Sequence, residues 1–346
     1  MFFVTRPVSD TASLCIYYKG KCVVDLYGGW KDLQRKEPYT SDTLQLVFSV
    51  SKGILSAAIA LCVERGDLLS HRADLPYINQ TLTVDDVCDW SKMISLLINE
   101  KPHWKPGTTH GYHGHTIGYI AGELIHRVDP QHRSYGQFVR DELDHDYYVG
   151  ITNNEIDARV TPLFEKQVDR KTVDPKFIDS AADKTLTFNG ALPLEQSQMI
   201  YNESKIHRAE LPAVNGITNA RSLAKIYSLL IGDVHENGNI LKCLLSKKTL
   251  SEAIKNSTPI GELDQTLYKM PTTFSKGGFQ IYGDSFHIFG DGVFGHTGYG
   301  GSCAFAYPSQ QLTYAHVCNH LDPYAFTIDH RSIRIIPAIE NILKHQ

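Results

Sequence analysis

From Ile54 to Val63 the chain runs ten residues with Ser56 as the only polar side chain, flanked by Gly53 and Glu64. Alanines recur within it at 57, 58 and 60, and the apolar residues cover nearly every face of a helix. A helix of that kind must be surrounded, so the rest of the chain has to supply layers on several sides of it. The run is about half the length needed to cross a bilayer, which excludes a membrane span here. With 346 residues, 42% of them hydrophobic and 21% charged, the chain has material to bury such a helix, and a disordered, collagen-like or coiled-coil reading is excluded.

The flanking segments read as strands. Ser13 to Tyr18 and Cys22 to Tyr27 are rich in β-branched and aromatic residues and are separated by Lys19-Gly20-Lys21, the pattern of a hairpin. Leu44 to Phe48 is strand-like and leads into a helix spanning Ser49 to Leu69. The last third returns to strands at Gly278 to Tyr282, Ser285 to Phe289, Val293 to His296, Cys303 to Tyr307 and Leu312 to Cys318, with a turn at Pro308-Ser309-Gln310. A closing helix covers Ser332 to Lys344. Between these ends lie helical segments at Val84 to Leu97 and Thr116 to Arg127, a loop-like run from Asn153 to Asn189, and a helix at Ala220 to Ile231 capped by Thr218 or Asn219. Strands at both ends around a helical middle predict an α+β chain: a mainly antiparallel sheet flanked by helices, with the middle inserted as a second lobe.

Formal net charge is −4, which gives no electrostatic pull toward nucleic acid or anionic lipid. Met1 to Asp10 carry no sustained apolar core and read as neither a secretory signal nor a transit peptide. The expectation is a soluble protein inside the cell, cytoplasmic or mitochondrial, with a homo-oligomer compatible. Seven scattered cysteines without a CxxC pair predict reduced, mostly buried thiols rather than a disulfide framework or structural zinc.

Three segments carry chemistry. Ser49-Val50-Ser51-Lys52 opens the apolar helix, and residues three apart on a helix are neighbours, so the Lys52 amine reaches the Ser49 hydroxyl. The helix N-terminus adds unpaired N–H groups and a positive dipole end. A second such pattern, Ser222 to Lys225, falls within an amphipathic helix beside Arg221 and reads as surface. In the glycine-spaced stretch from Gly107 to Gly122, Tyr112 offers a phenol beside a lysine, able to shuttle protons. His110, His113 and His115 lie there too, but lack an acidic ligand at matching spacing, so no metal or other cofactor is expected. Gly295-His296-Thr297-Gly298-Tyr299-Gly300-Gly301 ends a late strand, where small residues admit a substrate against the strand edge and the Tyr299 N–H can pair with that of Ser49 as an oxyanion hole.

In this order and at these separations, the segments resemble the serine β-lactamase and penicillin-binding-protein superfamily, and most its esterase-like branch with the LACTB-like proteins. Val23 to Gly29, Val47 to Gly53, Leu69 to Pro76, Gly111-Tyr112-His113, Asn219 to Ala224 and Gly295 to Gly298 carry the resemblance together. It implies Ser49 as acylated nucleophile, Lys52 as its base, Tyr112 as proton shuttle and His296-Thr297-Gly298 as the strand motif usually written Lys-Thr-Gly. It also implies a β-lactamase/transpeptidase-like fold: a single domain whose α/β lobe spans about 1–69 and 213–346, with a helical, irregular lobe at about 70–212. The departures are informative. Gly114 stands where penicillin-recognising members have Asn, and His296 where they have Lys, which removes a fixed charge that would hold a β-lactam carboxylate. Asp74 occupies a position that relatives give to Gly. Leu69-Ser70 joins directly two phrases that relatives separate by a few tens of residues, as in a shortened isoform or an imperfect gene model, which predicts a poorly packed end to the nucleophile helix. The helix that usually precedes the first strand is not recognisable either. The function implied is a serine hydrolase cleaving a small-molecule or peptide ester or amide; the alternative is a catalytically silent relative serving as a binding or assembly module.

Overall fold

At Lys19 and Gly20 the backbone takes φ of 50° and 72°, the paired positive values of a type I′ turn, whose twist matches the strands it joins. It connects β1 (Ala12–Tyr18) to β2 (Lys21–Gly28). The computed structural model describes residues 11–32, 34–63, 71–165, 180–193, 199–282, 290–322 and 329–345. The sequence-predicted strand at Ser285 to Phe289 and the junction at Leu69-Ser70 lie outside them. From the C-terminal third come β3 (Gln280–Tyr282), β4 (Val293–Thr297), β5 (Cys303–Tyr307) and β6 (Leu312–Cys318). The six strands form one sheet in the order β3-β4-β5-β6-β1-β2, and every pairing is antiparallel. The expected sheet shared by both chain ends is thus present.

Side-chain alternation divides this sheet into two apolar faces. Cys15, Tyr17, Ala315 and Val317 point into the main core, while Ile16, Leu312, Tyr314 and Phe305 point the other way. The second face is covered by the closing helix (His330–Lys344) through Ile335, Ile336, Ile339 and Leu343. The main face carries α1 (Val50–Val63) and the capped helix Ala220–Ile231, whose Ala224 carbonyl accepts from the Thr313 hydroxyl at 2.9 Å.

Every residue from Val50 to Ala60 is buried, as the apolar run requires. The helix lies between β4 and two helices of the middle segment, Thr116–Val128 and Tyr135–Glu142. Gly53 makes the approach to Ala220–Ile231 possible: a Cβ there would fall 1.9 Å from the Tyr227 hydroxyl.

Several local expectations change in detail. The helix predicted at Val84 to Leu97 is two, Val84–Cys88 and Trp90–Asn99, because Asp89 leaves the helical conformation and caps the second through the Lys92 N–H. Of the Leu44 to Phe48 run, Gln45–Leu46 pairs antiparallel with Ile217–Thr218 and Leu44 makes an isolated parallel bridge to Val160. The loop-like run contains two short helices, Asn154–Asp157 and Ala181–Thr187. Ser222 is not on the surface: it is buried, with its hydroxyl on Asp144 at 2.8 Å. Nor are the thiols mostly buried; Cys15, Cys303 and Cys318 are, Cys62, Cys88 and Cys243 are half-buried, and Cys22 is exposed.

Candidate active site

The turn before α1 is the strained point of the site. Phe48 sits at φ 47°, a left-handed conformation that is uncommon and unfavourable for a bulky residue. Its ring is clamped edge-on by Tyr201 and Tyr299, at centroid distances of 4.9 and 5.5 Å. The turn delivers Ser49 half-buried to the N-terminus of α1. Gly298, on the chain leaving β4, lies directly against this turn, where a Cβ would come within 2.4 Å of the Val47 carbonyl oxygen.

One helical turn on, the Lys52 Nζ lies 3.2 Å from Ser49 Oγ and donates to the carbonyls of Gly114 at 2.6 Å and Ala213 at 3.0 Å. Lys52 is only 2% exposed, and burial holds its amine well below the ordinary lysine range. The Tyr112 hydroxyl donates to Ser49 Oγ at 2.7 Å, and the Lys52 Nζ stands 4.7 Å from its ring centre. Burial pushes the Tyr112 phenol up, so it is a neutral donor. The three side chains thus meet around one oxygen, although Tyr112 is 63 residues from Ser49 in sequence.

Tyr112 is held from behind by a segment that the sequence reading did not single out. The buried Asp264 accepts from the Tyr112 N–H at 3.1 Å, and the Thr266 hydroxyl donates to the Tyr112 carbonyl at 2.8 Å. Asp264 also takes the N–H groups of Thr266 and Leu267 and the Thr272 hydroxyl. The only local signal was Asp-x-Thr, a common Asx-turn pattern. On the ring side, His71 stacks on Tyr112 with centroids 5.3 Å apart.

The end of β4 forms the opposite wall. His296 is buried and its Nδ1 donates to the Thr297 carbonyl at 2.6 Å, leaving Nε2 without a partner among the described residues. Burial, followed by the nearby Lys52 amine, lowers its pKa to about 3, so the ring is neutral. Thr297 donates to Gln280 Oε1 through its N–H at 3.4 Å and its hydroxyl at 3.2 Å. Ser49, Tyr112, His296, Thr297, Gly298 and Tyr299 all line one cleft of about 110 Å³. Leu186, Val214, Leu267, Met270 and Phe274 give it a mainly apolar wall that was not foreseen, with His115, Thr272 and Gln280 as further polar lining.

The three loop histidines do not converge. His110 contacts Glu262 and Thr272, His113 is fixed between the Leu75 N–H and the Gly111 carbonyl, and His115 stacks on Phe188 with Nε2 facing the Leu186 carbonyl.

The family model described as Beta-lactamase matches residues 4–68 and 66–336, two segments that meet beside the Leu69-Ser70 junction. The chain is similar to Esterase/beta-lactamase LipL of Mycobacterium tuberculosis (strain ATCC 25618 / H37Rv), 24% identical over 92% of this chain and 79% of that protein. Among solved structures it resembles a family VIII carboxylesterase, 26% identical with a TM-score of 0.80 over 95% of this chain and 91% of the other. A penicillin-binding protein homolog from Caulobacter crescentus is 25% identical, with a TM-score of 0.76 over 94% and 91%. EstA from Arthrobacter nitroguajacolicus Rue61a, 22% identical, shares the fold with a TM-score of 0.82 over 97% and 92%.

Proposed function

The chain belongs to the beta-lactamase family and is a serine hydrolase, and from that premise we propose that it cleaves uncharged carboxylic esters through an acyl-enzyme on Ser49. The observation that carries this reading is the meeting of Lys52 and Tyr112 on Ser49 Oγ inside an apolar cleft. Two carbonyls take two N–H bonds of Lys52. Once the amine is neutral, its lone pair is left directed at the Ser49 hydroxyl.

In the proposed reaction Ser49 Oγ attacks the ester carbonyl as its proton passes to Lys52. The N–H groups of Ser49 and Tyr299 stabilise the tetrahedral oxyanion. Tyr112 gives its proton to the departing alkoxide and is reprotonated from Lys52, leaving alcohol and acyl-Ser49. Water then attacks the acyl carbon with the same groups acting in reverse, releasing acid and free Ser49.

Ester is favoured over β-lactam by the cleft itself. No lysine or arginine lines it among the described residues, and His296 is neutral, so a substrate carboxylate would be buried without a counter-charge. The carboxylesterase in the name of one relative supports the same reading, while another is named both esterase and beta-lactamase.

Intact-mass analysis after exposure to a fluorophosphonate tests it. A single adduct is expected on the native protein and none on Ser49→Ala. Absence of an adduct on protein that circular dichroism shows to be folded would overturn the hydrolytic site and favour a binding module.

A further inference from the structure

The β1–β2 hairpin brings two thiols together on the side of the sheet that faces the helix Ala220–Ile231. A bulge between Ile16 and Tyr17 leaves Val23 as the extra residue, so that Tyr17 pairs with Cys22 and Cys15 with Asp25. Cys22 is thereby turned to the same face as Cys15, and the two sulfurs lie 3.7 Å apart. Their environments differ sharply: Cys15 is fully buried, whereas Cys22 is exposed.

Cys22 also lines a surface cavity of about 570 Å³, together with Tyr17, Asp25, Arg221, His235 and Glu236. This cavity shares no residue with the Ser49 cleft. Arg221 stands over the hairpin, bound to Asp25 at 2.7 Å, and adds positive charge beside the exposed sulfur. The contact between the two sulfurs lowers the Cys22 thiol against burial and the nearby Asp25 and Glu236 carboxylates, with Arg221 adding to the lowering, while the same contact and burial raise that of Cys15. The pair therefore has one accessible, more acidic sulfur and one sheltered thiol at hand.

We propose that Cys15 and Cys22 form a peroxide-responsive dithiol, with Cys22 as the reacting sulfur and Cys15 as the resolving one. A hydroperoxide supplies the oxidation. The Cys22 thiolate attacks the peroxide, an S–O bond forms as the O–O bond breaks, and the departing alkoxide (or hydroxide, from hydrogen peroxide) takes a proton from solvent and leaves as alcohol or water, with a Cys22 sulfenic acid remaining. Cys15 then attacks that sulfur; the S–S bond forms, the S–O bond breaks, and hydroxide leaves as water with the Cys15 proton. A diagonal cross-strand bond requires the sulfurs to close from 3.7 Å to about 2.05 Å, within reach of side-chain rotation. A thiol reductant reverses it, and the resolving thiol spares Cys22 from irreversible over-oxidation.

The test is intact-mass and peptide-mapping analysis of the whole protein treated with stoichiometric hydrogen peroxide. The expected result is loss of the mass of two hydrogens, restored by dithiothreitol, with the Cys15 and Cys22 peptides linked. Cys22→Ser is expected to abolish that loss; its side chain is exposed, so the fold should tolerate the change. Cys15→Ser is expected to leave a sulfenic acid on residue 22 that dimedone captures, and the map of the native protein decides the matter if that variant does not fold. Retention of both free thiols, a linkage elsewhere, or a Cys22 that proceeds directly to sulfinic acid would overturn the proposal.

Discussion

Asp74 combines two unfavourable features at one residue. Its φ is 64°, and its fully buried carboxylate faces the Gly107 N–H and the Trp104 indole without a well-formed hydrogen bond to either. The Trp104 indole N–H, which faces it, is likewise unpartnered. Burial accordingly raises its pKa. Glycine would relieve the backbone and remove the poorly bonded carboxyl at once. Asp74→Gly is therefore expected to stabilise the fold by about 1–3 kcal/mol, measured as a higher denaturant midpoint with unchanged slope. Lys52 sets a second expectation. Its folded-state pKa is depressed, so the amine sheds its proton at a pH where a free lysine, with its value of 10.5, still holds one. Ester cleavage, which needs the neutral amine, should fall as pH drops through that depressed value and rise to a plateau above it. Activity surviving in Lys52→Ala with the same pH profile would remove Lys52 from the reaction.

Packing between elements turns on close approach. Gly53 lets α1 pass the helix Ala220–Ile231, with the Tyr227 hydroxyl occupying the space a Cβ would need. That hydroxyl is buried without a hydrogen-bond partner among the described residues, so what it contributes at this contact is volume. Gly53→Ala is expected to cost about 2–3 kcal/mol, and noticeably less in a Tyr227→Phe background, because the clash is with the hydroxyl. Additive effects in a double-mutant cycle would show that some other contact sets the limit. The same logic applies to the glycine that follows β4. Gly298 is pressed against the turn that holds Ser49, and the alignment of nucleophile and strand edge depends on it.

Across the whole molecule, the site is assembled from segments far apart in sequence. Asp264 is 152 residues from Tyr112, yet it fixes that loop with one carboxylate, and its neighbours Leu267 and Met270 wall the cleft. Asp264→Ala strands several buried donors and should destabilise the fold by about 3 kcal/mol or more, with ester turnover falling in parallel. Asp264→Asn retains an acceptor for the three N–H groups and should preserve most of both. Equal loss in the two variants, read by thermal denaturation and kinetics, would contradict this account. No helix among the described residues is long and apolar enough to cross a membrane.

The sequence alone determined the buried helix, since a ten-residue run apolar on nearly every side has no stable place except the centre of several layers. It also determined the hairpin, the strands and the Ser49–Lys52 pair, because turn chemistry, β-branched and aromatic enrichment and three-residue helical spacing are local. Tertiary structure decided the rest. Whether a tyrosine meets a serine 63 residues away, whether an aspartate props that tyrosine, and which apolar residues wall the cleft depend on how distant segments pack. Burial likewise decided the charge states: nothing in the letters Lys52 and His296 says that both lose their protons so readily, because desolvation belongs to the folded surroundings and not to the residue.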